Sequence, residues 1–229
     1  MADAYRTSLI VGAGSGLSAS LARRLSQAGI AVALAARDTA KLAPLCAQTG
    51  ASAHACDATD AAQVARLFDE VEQRFGPPDV VAYNASARVR GPVASLDPEA
   101  VHRALMVSAY GAFLVARRAL PAMLAKKSGA ILLTGASASV KGYAESAPFA
   151  MGKFALRGLA QSMAREVAPK GIHVAHFVID GAIRPRGRAD GDDATLDPDA
   201  IADTCMHVLM QPRSAWTWEV ELRPWVERF

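Results

Sequence analysis

The chain has 229 residues, of which 52% are hydrophobic and 21% are charged, and its formal net charge is +3. This balance is typical of a globular chain the size of one large domain, and it excludes an intrinsically disordered protein. Lysines and arginines are spread along the sequence, which argues against a nucleic-acid-binding protein.

The sequence shows no targeting or membrane signal. A strand and a glycine loop follow almost directly on the N-terminus without a signal peptide, and no apolar run is long enough to span a membrane. Three cysteines, Cys46, Cys56 and Cys205, have no metal-binding or redox spacing. We therefore expect a cytoplasmic protein with reduced thiols, no metal site and no membrane contact.

Short apolar runs alternate with longer stretches of helical spacing. The runs that predict strands are 9–11, 31–35, 53–56, 80–83, 130–134 and 173–179, and alternation over 215–220 predicts a last strand. The stretches that predict long helices are 17–28, 61–75, 101–124 and 149–167. Continuous apolar strands are buried on both faces, and helical connections imply parallel pairing. The sequence therefore predicts one α/β domain over 1–229, a doubly wound parallel sheet with helices on both faces.

A glycine-rich loop follows the first predicted strand and opens the first predicted helix. It consists of Gly12, Ala13, Gly14, Ser15, Gly16 and Leu17. Glycines let the backbone turn tightly and approach a pyrophosphate, and the amino end of the next helix favours an anion. This position favours a dinucleotide-binding loop, and the alternative is a plain strand-to-helix turn.

The end of the second predicted strand bears on the choice of nucleotide. Ala36 lies where an acidic residue would accept hydrogen bonds from the adenosine ribose and favour NAD. Arg37 follows and could pair with a 2′-phosphate, because a guanidinium makes strong charge-assisted hydrogen bonds to phosphate. The sequence thus favours NADP(H) over NAD(H). A solvated Arg37 beside Asp38 is the alternative.

Several segments, in order and spacing, resemble the short-chain dehydrogenase/reductase family across nearly the whole chain. Besides the glycine loop, they contain Asp57, Asn84, the pair spaced at 149–153, and Gly181. The resemblance implies a Rossmann-type NAD(P)-binding domain. It also implies that Asp57 contacts the adenine and that Asn84 supports the central sheet. By the same resemblance, Gly181 belongs to the segment after the sixth strand, and Ile183 lies against the nicotinamide carboxamide.

The glycine motif departs from the family pattern at two positions. Val11 replaces a threonine, and Ser18 replaces the last glycine. Because a serine is larger than a glycine, we expect looser packing of the first helix against the strand at Ser18.

The family's catalytic tetrad consists of Asn, Ser, Tyr and Lys. By the family's spacing, these positions are Ser108, Ala136, Phe149 and Lys153 in this chain. A phenyl ring can neither donate nor accept a proton, so only Lys153 retains its implied role, which includes holding the nicotinamide ribose. The chain resembles a subgroup with Phe in place of the Tyr and an incomplete glycine motif. An exposed helix lysine is the alternative reading of Lys153.

Hydroxyl groups in the loop before residue 149 could replace the lost groups. They belong to Ser137, Ser139, Tyr143 and Ser146. Ser137 is next to the lost serine position, and Tyr143 could serve as an acid. The alternative is that these residues only form turns and caps.

Three other groups of residues have more than one interpretation. The resemblance implies a substrate lid between Ile183 and Asp197. This segment contains Arg184, Arg186 and Arg188, which could bind an anionic substrate or be solvated. His173 and His176 are three apart on a predicted strand, so they point to opposite faces and favour packing over metal binding. The three tryptophans, Trp216, Trp218 and Trp225, could form a subunit interface or cover the core.

Two functions remain open at this point. The first is an NADPH-dependent oxidoreductase with an altered active site, acting on a small carbonyl or alcohol. The second is a non-catalytic NADP(H)-binding protein that acts as a sensor or scaffold. In either case the resemblance implies a homodimer or homotetramer associated through the fourth and fifth long helices.

Overall fold

The computed structural model describes residues 5–185 and 187–228. In this part of the chain seven strands form one sheet in the order β3-β2-β1-β4-β5-β6-β7. Every neighbouring pair is parallel. The strands are β1 (Thr7–Val11), β2 (Ala31–Ala36), β3 (Ser52–Ala55), β4 (Val80–Tyr83), β5 (Gly129–Thr134), β6 (Ile172–Ile179) and β7 (Glu219–Leu222).

Helices connect the strands. They are α1 (Leu17–Gln27), α2 (Ala43–Thr49), α3 (Ala61–Phe75), α4 (Pro98–Leu105), α5 (Gly111–Lys126), α6 (Ala147–Val167) and α7 (Pro198–Leu209). A π-helical segment, Met106–Tyr110, joins α4 to α5. The carboxylates of Asp60, Asp97 and Asp197 accept backbone N–H groups at the starts of α3, α4 and α7. These caps explain why the three helices begin where they do.

Two hydrophobic cores lie on opposite faces of the sheet. Successive residues of a strand point to opposite faces, so Leu9 belongs to the core beneath α3, α5 and α6. Ile10, the next residue, belongs to the core beneath α1 and α7. Both side chains are completely buried. This two-sided burial confirms the predicted Rossmann-type α/β fold.

The last strand begins later than the alternation over 215–220 predicts. Residues Arg213–Ala215 form a 3-10 turn, and β7 starts at Glu219. The side chain of Gln211 holds the preceding segment, because its Oε1 accepts from the backbone N–H of Thr217 at 2.8 Å. The indole N–H of Trp216 also donates to the carbonyl of Gln211. These side-chain contacts, invisible to periodicity, keep the segment out of the sheet.

The two strand histidines are packed side chains. His173 stacks on Trp216 with ring centres 4.7 Å apart, and its Nε2 lies 2.9 Å from the carbonyl oxygen of Thr217. His176 is fully buried beside Glu219. Within the described residues, no group of three or more His, Cys, Asp or Glu side chains is arranged to hold a metal. No helix in that part of the chain is both long and apolar enough to cross a membrane.

Candidate cofactor and active site

A cleft of about 310 Å³ lies at the carboxyl ends of the central strands. Parallel strands present their carboxyl ends at one edge of the sheet, where this fold places its ligands. The cleft is lined by Val11, Gly12, Ala13, Ala36, Arg37, Asp38, Lys41, Cys56, Asp57, Ala58, Asn84, Ala85, Ser86 and Val107. It therefore brings together the glycine loop, Arg37, Asp57 and Asn84 from four separate parts of the sequence.

Gly12 is required by its surroundings as well as by its backbone. Its φ is +82°, and a Cβ there would lie 2.3 Å from the backbone nitrogen of Ala85. A side chain would thus force the β1 loop away from the β4 loop. The remaining glycines of the loop are different, because a Cβ on Gly14 or Gly16 would meet nothing within 4 Å. The space beside these two glycines is therefore open.

Ser18 strengthens the loop rather than loosening it. Its side chain is buried, its hydroxyl donates to the carbonyl of Gly12 at 3.2 Å, and it accepts from Nδ2 of Asn84 at 2.7 Å. The expectation of looser packing was therefore wrong. The hydroxyl occupies space that a glycine would leave empty. Its two hydrogen bonds link α1 to the loops that follow β1 and β4.

The amino end of α1 is left open to an anion. The helix begins at Leu17 after Gly16, and it has neither a side-chain cap nor an acidic residue in its first turn. Ser15 is exposed, while Leu17 is buried and anchors the turn. The first N–H groups of such a helix lack intrahelical partners and carry partial positive charge.

Arg37 is joined in the cleft by a second cation, Lys41. Both side chains are exposed. Asp38 does not pair with Arg37; its carboxylate lies 3.1 Å from the ammonium group of Lys41 and also accepts from the backbone of Ala40. Lys41 was not predicted to line the cleft, although a lysine four residues after Arg37 is a signal that the sequence contains.

Asp57 forms a local turn and also lines the cleft. Its Oδ1 accepts from the backbone N–H and the hydroxyl of Thr59 at 2.9 and 2.8 Å, which is an Asx turn. The residue also lines the cleft. Its backbone N–H donates to the side chain of Gln63 at the start of α3, so hydrogen bonds hold both the side chain and the backbone of Asp57.

A second cavity, of about 400 Å³, borders two of the four tetrad positions, Ala136 and Phe149. It is lined by Arg88, Val89, Arg90, Ala136, Ser137, Tyr143, Ala144, Ser146, Phe149, Ile179, Asp180, Gly181, Ala182 and Glu227. Ala136 and Phe149 thus line one cavity, although Ala136 lies in the turn after β5 and Phe149 lies on α6. Three loop hydroxyls, those of Ser137, Tyr143 and Ser146, face the same space.

Lys153 is buried, so the alternative of an exposed helix lysine was wrong. Only 3% of the residue is exposed, and its Nζ donates to the carbonyl oxygen of Thr134 at 2.7 Å. The Nζ also lies 5.8 Å from the ring centre of Phe149. Burial, and next the charge of Arg88, lower the pKa of Lys153 to about 8.

Ser108 is fully buried within the π-helical segment. Its hydroxyl accepts from the backbone N–H of Ala87 at 3.3 Å, and a Cβ on Gly152 would lie 2.7 Å from its own Cβ. Ser108 thus packs against Gly152, the residue before Lys153, and its hydrogen bond with Ala87 holds the loop that follows β4. Irregular π-helical turns of this kind are frequent at functional sites.

Ser139, by contrast, belongs to a buried polar network behind the cavity. Its hydroxyl accepts from the N–H of Ala136 at 3.1 Å and lies 3.4 Å from Nε2 of His176. Nδ1 of His176 lies 2.9 Å from Glu219, which also receives two 2.7 Å hydrogen bonds from Arg157. This network positions the Ala136 turn, and no sequence spacing indicated it because its members come from four parts of the chain: the turn after β5, α6, β6 and β7.

The segment after β6 packs against the C-terminal region. Gly181 has a φ of +148°, and a Cβ on it would lie 2.8 Å from Pro224. Ile183 pairs with Leu196 through an isolated bridge. Arg184 is engaged by Asp197 at 2.6 Å and by Asp193 at 3.3 Å, so it is not directed at a substrate. Arg186 lies outside the described residues.

Asp180 is the only residue of this segment, among those described, that combines deep burial with a charge. Lys141 and Arg223 each place a cationic nitrogen 3.5 Å from its Oδ2. Two cations from different loops therefore neutralise it. Lys141 lies 5.7 Å from the ring centre of Tyr143 as well, so the same lysine contacts a hydroxyl-bearing side chain of the cavity.

Comparison with known proteins identifies the family. The sequence profile of the family described as short chain dehydrogenase matches residues 6–186. The chain belongs to the short-chain dehydrogenase family. This family binds NAD(P), and the predicted recognition at family level is confirmed.

Several relatives of this short-chain dehydrogenase match it over nearly their full lengths. A short-chain dehydrogenase from Rhodopseudomonas palustris is 33% identical with a TM-score of 0.85, and the match covers 96% of this chain and 99% of that one. A metagenomic short-chain oxidoreductase in complex with NADP is 28% identical with a TM-score of 0.85, over 96% and 97% of the two chains. An uncharacterized oxidoreductase of Staphylococcus saprophyticus is 26% identical, over 96% and 97%.

Proposed function

We propose that this short-chain dehydrogenase is an NADP(H)-dependent oxidoreductase that interconverts a small carbonyl compound and its alcohol in an active site altered by Phe149. The observation that carries the proposal is Lys153, a buried cation fixed on Thr134 beside a 400 Å³ cavity. Burying an ammonium group costs folding free energy. That Lys153 is retained despite this cost argues for a functional role and against a decayed site. We place the chain in the subgroup with Phe at this position.

The first cleft fits the nucleotide. Gly12 allows the close approach of two loops, and the uncapped start of α1 offers N–H groups to a pyrophosphate. We assign Gly14, Ser15, Gly16 and Leu17 to the same diphosphate turn. Asp57 lies where the adenine would bind, and Asn84 holds the loop through Ser18. The NADP complex of the metagenomic relative supports this assignment.

Preference for NADP(H) rests on charge at the end of β2. Ala36 offers no carboxylate to a ribose 2′-hydroxyl, and Arg37 and Lys41 are both exposed in the cleft. A 2′-phosphate would lie between two cations, while Asp38 is occupied by Lys41. Guanidinium and ammonium groups are the usual protein ligands of phosphate.

In the proposed reduction, the nicotinamide supplies a hydride to the carbonyl carbon when it is bound. The electron pair of the carbonyl bond then passes to oxygen, which takes up one proton. Phe149 cannot supply that proton, so it comes from water in the cavity or from a cavity hydroxyl, of which Tyr143 is the most acidic type. When the cofactor is bound, Lys153 would hold the nicotinamide ribose, and Gly181 and Ile183 would border the nicotinamide.

The first test is a fluorescence titration of the purified protein with NADPH and separately with NADH, followed by a screen of small carbonyls for NADPH oxidation. We expect saturable binding that favours NADPH, turnover of at least one carbonyl, and loss of turnover in Lys153→Ala. Binding without turnover across the screen would favour a cofactor-binding protein without catalysis. Absence of binding to either nucleotide would refute both functions.

We also infer a homodimer or homotetramer that associates through α5 and α6. Phe113 on α5 is 43% exposed, and Met151 and Phe154 on α6 are 51% and 45% exposed. Large exposed apolar side chains on a helix surface are typical of an interface. Light scattering after size-exclusion chromatography should give a dimer or tetramer mass that Phe154→Glu reduces. A monomeric native chain would contradict this inference.

A further inference from the structure

Arg88 lies on the face of Phe149. Its guanidinium carbon is 4.3 Å from the ring centre, although the two residues are on the β4 loop and in the first turn of α6. Arg88 is an exposed side chain, and both residues line the second cavity. The residue that replaces the family's tyrosine thus carries a cation on its ring.

This stacking fixes the guanidinium without using its hydrogen-bond donors. An aromatic face attracts a cation electrostatically, and this attraction consumes none of the N–H groups. The N–H groups point along the edge of the guanidinium plane, where they can meet a ligand. Among residues 5–185 and 187–228, no carboxylate lies within ion-pair distance of Arg88. The arginine is therefore positioned but unpaired by this part of the chain.

The charges that face the cavity favour an anion beside Phe149. Arg90 also lines it, so two guanidinium groups enter from the β4 loop. Of the two carboxylates in the lining, Asp180 is buried and neutralised by Lys141 and Arg223. The other, Glu227, is exposed in the C-terminal segment. The charge of Arg88 also contributes, after burial, to the lowered pKa of Lys153.

We propose that Arg88, held on the Phe149 ring, binds a carboxylate of the substrate, which makes small 2-oxo acids and their 2-hydroxy acids the substrate class. This deepens the proposed function and rests on it for the redox step. Arg88 and Lys153 contact the same ring, at 4.3 and 5.8 Å from its centre. A carboxylate on Arg88 would therefore share the cavity with a carbonyl that reacts near Lys153, and a 2-oxo acid is the smallest compound that carries both groups.

The test uses oxamate, a non-reducible analogue of a 2-oxo acid, and its neutral methyl ester in isothermal titration calorimetry. Both ligands are titrated into the protein alone and into protein saturated with NADPH. We expect oxamate to bind, Arg88→Gln to weaken it by about 10- to 100-fold, and Arg88→Lys to restore it only partly. Methyl oxamate should bind at least about tenfold more weakly than oxamate, since it lacks the charge.

Three further variants separate binding from structure. Arg74 stacks on Phe75 at 5.2 Å at the far end of α3, so Arg74→Gln removes the same type of contact away from the cavity and should leave oxamate binding unchanged. Phe149→Leu removes the platform and should weaken oxamate binding, whereas Phe149→Tyr keeps it. Equal oxamate affinity in wild type and Arg88→Gln, equal affinity for acid and ester, or no oxamate binding would overturn the proposal.

The outcome is distinguishable from that of the proposed function. Oxamate binding that depends on Arg88, without NADPH oxidation by pyruvate or any other carbonyl of the screen, would refute the oxidoreductase assignment and retain the carboxylate site. Turnover of neutral ketones with no oxamate binding would retain the oxidoreductase and refute the carboxylate site.

Discussion

Lys153 donates a hydrogen bond of 2.7 Å to the carbonyl oxygen of Thr134, which joins α6 to the carboxyl end of β5 in the interior of the protein. The bond satisfies one of the three donors of the ammonium group. Burial therefore disfavours the charged form, and the pKa of Lys153 falls to about 8. The residue is retained at a cost in stability, which leads to the first prediction.

Lys153→Met should stabilise the fold and weaken cofactor binding. Below pH 8 the wild type must hold a buried charge, so we expect Met to raise the free energy of unfolding at pH 7 by about 1–3 kcal/mol. Between pH 8 and 10.5 the unfolded chain binds more protons at this residue, so wild-type stability rises with pH there and the variant lacks that rise. Urea unfolding at pH 7 and pH 10 measures the gain in stability and its dependence on pH.

The control for this lysine is Lys170→Met, which removes a half-exposed lysine from a surface ion pair with Glu166. It should change stability by less than about 0.5 kcal/mol. A variant Lys153→Met that is less stable than wild type at pH 7 would show that the Thr134 hydrogen bond outweighs the burial of the charge.

Two glycines of α6 should respond oppositely to alanine. A Cβ on Gly152 would lie 2.7 Å from Cβ of Ser108, whereas a Cβ on Gly158 would meet nothing within 4 Å. We expect Gly152→Ala to destabilise the protein by about 1–3 kcal/mol through overpacking. Gly158→Ala should stabilise it by about 0.5–1 kcal/mol through helix propensity. Thermal and urea unfolding of the pair measure this, and equal effects would contradict the close packing at Ser108.

Arg37→Gln should reduce the affinity for NADPH by about 10- to 100-fold and leave the affinity for NADH nearly unchanged, since only NADPH carries the 2′-phosphate. Lys41→Gln should give a smaller effect of the same kind, because Lys41 already shares its charge with Asp38. Fluorescence titration with both nucleotides provides the comparison. Parallel losses for NADPH and NADH would place Arg37 elsewhere on the nucleotide.

Restoring the lost hydroxyls should raise turnover. Ala136 and Phe149 line the same cavity, so Ala136→Ser with Phe149→Tyr returns a polarising group and a proton donor near Lys153. We expect kcat for a neutral ketone to rise by about 100-fold or more. Ser108 stays unchanged, because it is fully buried against Gly152 and asparagine would overpack it. Unchanged kcat with intact NADPH binding would show that the two positions do not reach the substrate.

The protein should lose stability on mild acidification. Burial lowers the pKa of His176, and Glu219 only partly opposes that effect. The unfolded chain therefore binds a proton near pH 6.5 that the folded chain resists, so stability falls as pH drops below about 6.5. His176→Gln should show a shallower loss between pH 7.5 and 5.5 in urea unfolding. An identical slope would mean that another group controls the acid sensitivity.

Much of the fold was predictable because it is encoded locally. Continuous apolar runs predicted the strands to within one or two residues for β2 to β6, since buried parallel strands need apolar residues on both faces. The start of β7 was not predicted correctly, because Gln211 and Trp216 hold the preceding segment through side-chain hydrogen bonds. Periodicity contains no information about such contacts.

The sequence alone also determined which side chains are chemically able to act. It showed Phe149 without a hydroxyl, Lys153 at the right spacing, Ala36 without a carboxylate and a loop of glycines before α1. Chemical capability is a property of the residue type, and spacing along one helix or turn is fixed by local geometry. For that reason the glycine loop before α1 and the missing hydroxyls at Ala136 and Phe149 could be read from the sequence.

Only the tertiary structure decided which of these groups meet and in what surroundings. It buried Lys153 on Thr134, placed Arg88 on Phe149, and turned Ser18 into a bridge to Asn84. These partners are 19, 61 and 66 residues apart, respectively. Contacts across such distances depend on how strands and helices pack, and the pKa of a group depends on the solvent and charges that packing leaves around it.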